Sequence, residues 1–171
     1  AGRRKMLGAE RPLRPLAPGT TTLAVRNVPA RYQQQQLLQE WPPDGTYDLL
    51  HLPYNHREGR PLGYAFINFA SHALALEFQM RWHGKRLSSH GRTRALDIVC
   101  ASVQGYWANL QRVLGSVQRG VMATDHLPAT FSGTTPLDTR RELMKVARLQ
   151  EQFAELLPHQ FPVAIGRAAG H

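Results

Sequence analysis

One stretch, PLGYAFINF from Pro61 to Phe69, constrains the fold of this chain more than any other. Read with the two-residue period of a strand, it places Ala65, Ile67 and Phe69 on one face and Tyr64, Phe66 and Asn68 on the other. Both faces carry aromatic rings. A strand covered by helices on one side buries a single apolar face. The Tyr64/Phe66 face must therefore be covered by something else or left open for a ligand.

The flanking segments say where this strand sits. TTLAVRNVP alternates Leu23, Val25 and Asn27 against Thr22, Ala24 and Arg26 before Pro29, which reads as a first strand. QQQQLLQEW brings Leu37, Leu38 and Trp41 together at helical spacing, and PPDG ends that helix. YDLLHLP is a second strand, with Leu50 and Leu52 on one side and Tyr47, Leu49 and His51 on the other. SHALALEFQMRWHG has an N-cap in Ser71, a stripe of Leu74, Phe78 and Trp82, and Gly84 just past its end. ALDIVCASV is a fourth strand, with Leu96, Ile98 and Cys100 inward, and QGYWANLQRVLG a short third helix. The order βαββαβ is that of an α+β, ferredoxin-like fold. Both principal helices of that fold cover one sheet face, which leaves Tyr64 and Phe66 on the bare one.

Outside this unit, residues 1–19 mix Arg and Pro with no sustained period and read as a flexible basic arm. The folded unit with its third helix is expected over residues 20–115, and residues 116–171 form an extension. In that extension Thr135, Pro136 and Asp138 are helix-start signals. Leu143, Val146, Ala147, Leu149, Phe153, Leu156 and Leu157 then make the apolar stripe of an amphipathic helix over about 136–157, a surface with room for a protein partner.

Composition narrows the classes of function. Twenty-one Lys and Arg against 12 Asp and Glu give a formal charge of +9, which favours polyanions. Cys100 is the single cysteine, so an intramolecular disulfide and a multi-thiolate zinc site are excluded, and a reducing compartment inside the cell, nucleus or cytoplasm, is expected. No apolar run approaches bilayer length and no charged-then-apolar leader opens the chain, so a soluble protein without membrane contact is expected. His51 and His56 have no third ligand at useful spacing, and no Ser/His/Asp or paired-carboxylate arrangement is legible. Neither metal, cofactor nor enzymatic activity is expected. SVQGYWANLQ resembles the phosphate-binding loop of acylphosphatases, but it follows the fourth strand rather than the first and lacks the Arg that such a loop needs.

LAVRNV on the first strand and LGYAFINF on the third lie where RNA-recognition motifs carry their hexapeptide and octapeptide signatures. Unpaired bases stack on flat side chains there, and Tyr64 and Phe66 are the expected stacking pair. Arg26 and His51, outward on the first and second strands, and Asn68 would orient and hydrogen-bond a nucleotide, while Arg57 and Arg60 in the following loop would meet phosphates. Ala24 stands where the hexapeptide usually has an aromatic, and Leu62 where the octapeptide usually has Lys or Arg.

TTLAVRNVPARY, LLQEW, YDLLHLPYN, GYAFINF, FQMRWHGKRL and VQGYWANLQ, in this order, resemble the C-terminal RNA-recognition motif of the Mei-two-like family of meiotic and developmental regulators, over about Thr20 to Gly115. The resemblance implies an RNA-recognition motif with an added C-terminal helix, single-stranded RNA as partner, and post-transcriptional regulation without catalysis. Gln33 replaces the Thr that commonly precedes the first helix, and Cys100 and Ser102 replace an aromatic and a basic residue of the fourth strand. The competing expectation is a protein-interaction module of the same fold, whose sheet or helical face binds a peptide, or whose last helix lies across Tyr64 and Phe66 and masks them.

Overall fold

The computed structural model describes residues 11–87 and 93–156. Its elements are β1 (Thr22–Arg26), α1 (Gln34–Glu40), β2 (Tyr47–His51), β3 (Tyr54–Asn55), β4 (Arg60–Pro61), β5 (Tyr64–Phe69), α2 (His72–Trp82), β6 (Asp97–Cys100), α3 (Tyr106–Gln118), β7 (Ala129–Ser132), β8 (Thr135–Leu137) and α4 (Thr139–Leu156). β6, β1, β5, β2, β7 and β8 form one antiparallel sheet in that order, and β3 pairs with β4 as a separate ribbon in the loop between β2 and β5. The first four strands of this order are those of the ferredoxin-like fold read from the sequence.

The main core lies between the sheet and α1 and α2. Leu23, Val25, Leu50, Ala65, Ile67 and Ile98 supply the sheet side, and Leu37, Trp41 and Ala75 the helix side, with Phe78 and Trp82 partly buried at its edge. Trp41 meets Phe78 and Trp82 edge to face at 5.2 and 5.6 Å, a geometry that aligns the positive edge of one ring with the negative face of the next. The Ser71 hydroxyl caps α2 by accepting from the Leu74 N–H at 3.2 Å, and Gly84 takes a left-handed φ of 79° after its end.

β2 departs from simple alternation. Tyr47 pairs with Phe69 and Leu49 with Asn68, so a bulge at Asp48 adds a residue between them. Tyr47 consequently turns into the main core, while Leu49 and His51 keep the outer face.

The outer face is not bare. Leu49 clusters with Leu110 and Val113 of α3 and with Leu143 and Val146 of α4, so a second core covers the β2 side of the sheet and leaves the β1/β5/β6 side open. The apolar stripe of α4 is thus partly consumed by α3. Leu149, Phe153 and Leu156 continue it into solvent, Phe153 being 64% exposed, and Leu157 lies outside the described residues.

Two expectations need correction. Residues 132–137 do not open the last helix: Ser132 pairs with Thr135 across a turn in which Gly133 takes φ 59°, and the hairpin adds two strands beside β2. The helix starts at Thr139, where the Asp138 carboxylate accepts from the Arg140 and Arg141 N–H groups at 3.0 and 3.4 Å. The second half of the basic arm is docked rather than free. Gln79 donates to the Arg14 carbonyl at 2.8 Å, His83 Nε2 lies 2.8 Å from the Arg11 carbonyl, and Leu16 packs against the main core. Residues 1–10 of that arm lie outside the described residues.

Candidate nucleic-acid interface

The open part of the outer face is set by strand register. β1 lies beside β5 with Arg26 opposite Tyr64, Ala24 opposite Phe66 and Thr22 opposite Asn68. Tyr64 and Phe66 are half-buried, with ring centroids 5.5 Å apart at 75°. Because Ala24 is small, the strand beside the rings offers no bulk, and a groove of about 570 Å³ opens between Ala24, Arg26, Tyr64, Phe66 and Ala101. That volume lies in the range of small-ligand sites.

Arg26 points from the rim of the groove, its side chain 45% exposed, and is held 3.6 Å from Oδ2 of Asp97. The same oxygen receives Arg11 at 3.5 Å. Asp97 is only 4% exposed, and its Oδ1 has no hydrogen-bond partner. A buried carboxylate thereby fixes where the Arg26 guanidinium stands, and the planar fork still has donors to spare.

Asn68 and His51 face outward as their alternation requires, yet neither is available to a nucleotide. Asn68 is buried: its Oδ1 accepts from the hydroxyls of Thr21 and Thr22 at 3.0 and 2.8 Å, and its Nδ2 donates to Asp48 at 2.8 Å. It stitches three strands together. His51 is 3% exposed, on the part of the face that the second core closes, and its Nε2 has no partner. Burial, with the nearby Arg112 charge added, pushes its pKa down to about 3, against a weaker opposing hydrogen bond to the His126 backbone.

This burial has a measurable consequence. The unfolded chain protonates His51 near pH 6.5, while the folded chain resists until about pH 3, so the unfolded state binds more protons between these values. Stability from this ring is complete above pH 6.5 and falls as the pH drops, by at most about 1.4 kcal/mol per pH unit. Between pH 7 and 5 the wild-type chain should lose about 2 kcal/mol more than a His51→Gln variant in urea unfolding, since other titrating groups cancel in the comparison. Equal losses would show that His51 titrates normally.

Arg57 and Arg60 are exposed on the β3–β4 ribbon, where Arg60 pairs with Glu58 and the Arg57 N–H donates to Asn55 Oδ1 at 3.0 Å. Tyr54 of that ribbon stacks on His126 at 3.9 Å, so the ribbon is tied to the α3–β7 connection. The structure gathers Arg26, Tyr64 and Phe66 around one groove, and neither Arg57 nor Arg60 lines it.

Two residues of α3 and its approach escaped the sequence reading. Arg112 places its guanidinium carbon 4.4 Å from the centroid of the Phe66 ring, over its face. Gln104 accepts from the N–H groups of Thr21 and Thr22 at 2.8 and 2.9 Å and donates to the carbonyls of Thr22 and Ala101, each at 2.8 Å. Gly105 at φ 95° then donates its N–H to the Thr22 hydroxyl at 2.9 Å, and Asn109 donates to the Gly105 carbonyl at 2.8 Å. The VQG motif noted in the sequence is thus an anchor: an amide side chain serves both backbone groups at the head of β1 and fixes where α3 starts. A motif singled out by spacing could have flagged Gln104, but its partners lie some 80 residues away in the chain.

Among the described residues no group of His, Cys, Asp and Glu is placed to hold a metal ion, and no helix is long and apolar enough to cross a membrane.

Comparison with known proteins gives this geometry its family. The model for RNA recognition motif 2 matches residues 20–113. The protein MEI2-like 5 of Oryza sativa subsp. japonica is 31% identical over 87 residues, which cover 50% of this chain and 11% of that protein. MEI2-like 3 of Arabidopsis thaliana is also 31% identical over 87 residues, 50% of this chain and 12% of its own length. The aligned part of this chain therefore spans only about a tenth of the length of these relatives. Among solved structures, the second RRM domain of yeast poly(U)-binding protein (Pub1) has a TM-score of 0.42 at 22% identity, covering 51% of this chain and 100% of that one. The Rna15 RRM with bound RNA (GU) has a TM-score of 0.42 at 22% identity, covering 54% and 95%. With more than half of its 171 residues under the family model and MEI2-like proteins as its relatives, the chain belongs to the RNA recognition motif 2 family, in its Mei2-like branch.

Proposed function

We propose that this chain binds a short stretch of single-stranded RNA in the groove beside Tyr64 and Phe66, without catalysing a reaction on it, and serves post-transcriptional regulation inside the cell. One observation carries the reading: the two rings stay half-open beside a groove of about 570 Å³ with Arg26 at its rim, while α4 packs on α3 instead of across them. A masked sheet would have put the apolar stripe of α4 on Tyr64 and Phe66. The family membership supports RNA as the ligand, and the formal charge of +9 supports a polyanion.

The chemistry divides by residue. Tyr64 and Phe66 supply flat apolar faces for bases, and Arg26, steadied by Asp97, supplies forked donors to a phosphate or a base edge. Arg57 and Arg60, away from the groove on an exposed ribbon, meet the backbone of a longer strand.

The test is a fluorescence-anisotropy titration of the full chain with a randomised eight-nucleotide RNA pool at several salt concentrations. Affinity should fall with salt with a log–log slope of about 0.7 per phosphate contacted, and Arg26→Ala should lower that slope by about 0.7. Binding that is indifferent to salt, or a double-stranded competitor that displaces the pool as well as single strands do, would rule the reading out.

A further inference from the structure

We propose that Arg112 is itself a layer of the stacking platform: seated over Phe66, its guanidinium offers the surface on which a base lies, so that ring, guanidinium and base stack in that order. The inference rests on the reading of the groove as an RNA site, and it extends that site to a helix that the generic motif does not include.

Three observations converge on it. The guanidinium carbon stands 4.4 Å from the Phe66 ring centroid, over the ring. Arg112 has no carboxylate within ion-pair distance among the described residues, whereas Arg26 pairs with Asp97 and Arg60 with Glu58. A cation with an aromatic partner and no counter-ion suits an anionic ligand with π faces. The third observation concerns the support. α3 is anchored to the head of β1 through Gln104, Gly105 and Asn109, and to β2 through Leu110 and Val113 packed with Leu49.

That support decides between two roles for the side chain. A helix that had to swing away before RNA could enter would not be tied to the head of β1 by three side-chain hydrogen bonds from Gln104 alone. A fixed helix holds Arg112 over Phe66, one of the residues that line the groove. The guanidinium is planar and cationic, and bases stack on such planes as they do on aromatic rings. Two neighbouring bases then have different supports, the phenol of Tyr64 and the guanidinium of Arg112.

The titration with the randomised octamer pool tests this through Arg112→Lys and Arg112→Ala. Lysine keeps the charge and loses the plane, so both variants should weaken binding, by roughly fivefold to a hundredfold, with the salt slope close to wild type. Phe66→Ala combined with Arg112→Ala should cost little more than Phe66→Ala alone, since both remove one stack, while Tyr64→Ala and Arg112→Ala should add. An unchanged thermal midpoint in Arg112→Lys ties its effect to binding.

Tighter binding by Arg112→Ala would overturn the proposal, because the guanidinium would then be shielding the ring. So would a slope lowered by about 0.7 in Arg112→Ala and restored in Arg112→Lys, the behaviour of a plain phosphate contact. Weakened binding in Tyr64→Ala with none in Arg112→Ala overturns this inference alone. Absence of RNA binding by the unaltered chain overturns the groove reading and this inference together.

Discussion

Replacing Tyr64 and Phe66 together by alanine should lower the affinity for single-stranded RNA by about 2 to 6 kcal/mol, a loss of thirtyfold at the least. The magnitude follows from two bases, each losing a flat partner worth roughly 1 to 3 kcal/mol. The fold should survive, because neither ring belongs to the core under α1 and α2 or to the cluster around Leu49. Among the described residues their ring and cation partners are each other and Arg112. Anisotropy titration measures the first quantity, and urea unfolding of the same variant the second. A double variant that binds as the wild type does would place the ligand elsewhere on the molecule.

Gln104→Ala should act in the opposite way, on the fold before the ligand. The substitution strands the N–H groups of Thr21 and Thr22, which Gln104 Oε1 now serves at 2.8 and 2.9 Å, while the Thr22 carbonyl loses one donor and keeps the Ala101 N–H at 3.0 Å. At about 1 to 3 kcal/mol for each polar group left without a partner where water does not reach it, a total near 3 kcal/mol is expected. The loss should appear as a lower urea midpoint of the full chain, and faster amide exchange should be concentrated in β1 and the first turn of α3. Gln104→Glu keeps the acceptor and should recover part of it. A variant within about 0.5 kcal/mol of wild type would mean that solvent replaces the amide at no cost.

The contrast between these two sites says what a single sequence can convey. Alternation along Tyr64–Phe69 placed both rings on the outer face, because the two-residue period of a strand is a local property. The Ser71 cap and the Leu74/Phe78/Trp82 spacing located α2 for the same reason. Face, however, is not exposure. Asn68 and His51 point outward as their periods require and are still buried, because hydroxyls from β1 in one case and the second core in the other close over them. Those partners lie far off in the chain, and no period links them.

The remaining misreadings have similarly specific causes. Thr135, Pro136 and Asp138 suit a helix start and an edge hairpin equally well, since Thr, Pro and Asp serve both caps and turns. Strands of four and three residues are too short to show a period against that ambiguity. At Asp48 one inserted residue reverses the side on which Tyr47 falls, and nothing in YDLLHLP announces it. The spacing of α3 shows that Leu110 and Val113 share a face, but Arg112 gains its meaning only once that face is laid on β2 with Phe66 alongside.

The pairing of β7 with β2 has a bearing on how the molecule is made. Leu49 finds Thr130 only after roughly 80 further residues have left the ribosome, so a nascent chain holding just the family motif carries β2 as an unprotected border strand and lacks Leu143 and Val146 from the cluster around Leu49. In the finished protein that vulnerable border has been moved outward to β8, where Pro136 offers no N–H to a visiting strand. Synthesis of this chain therefore passes through an interval of self-association risk that ends when its last hairpin arrives.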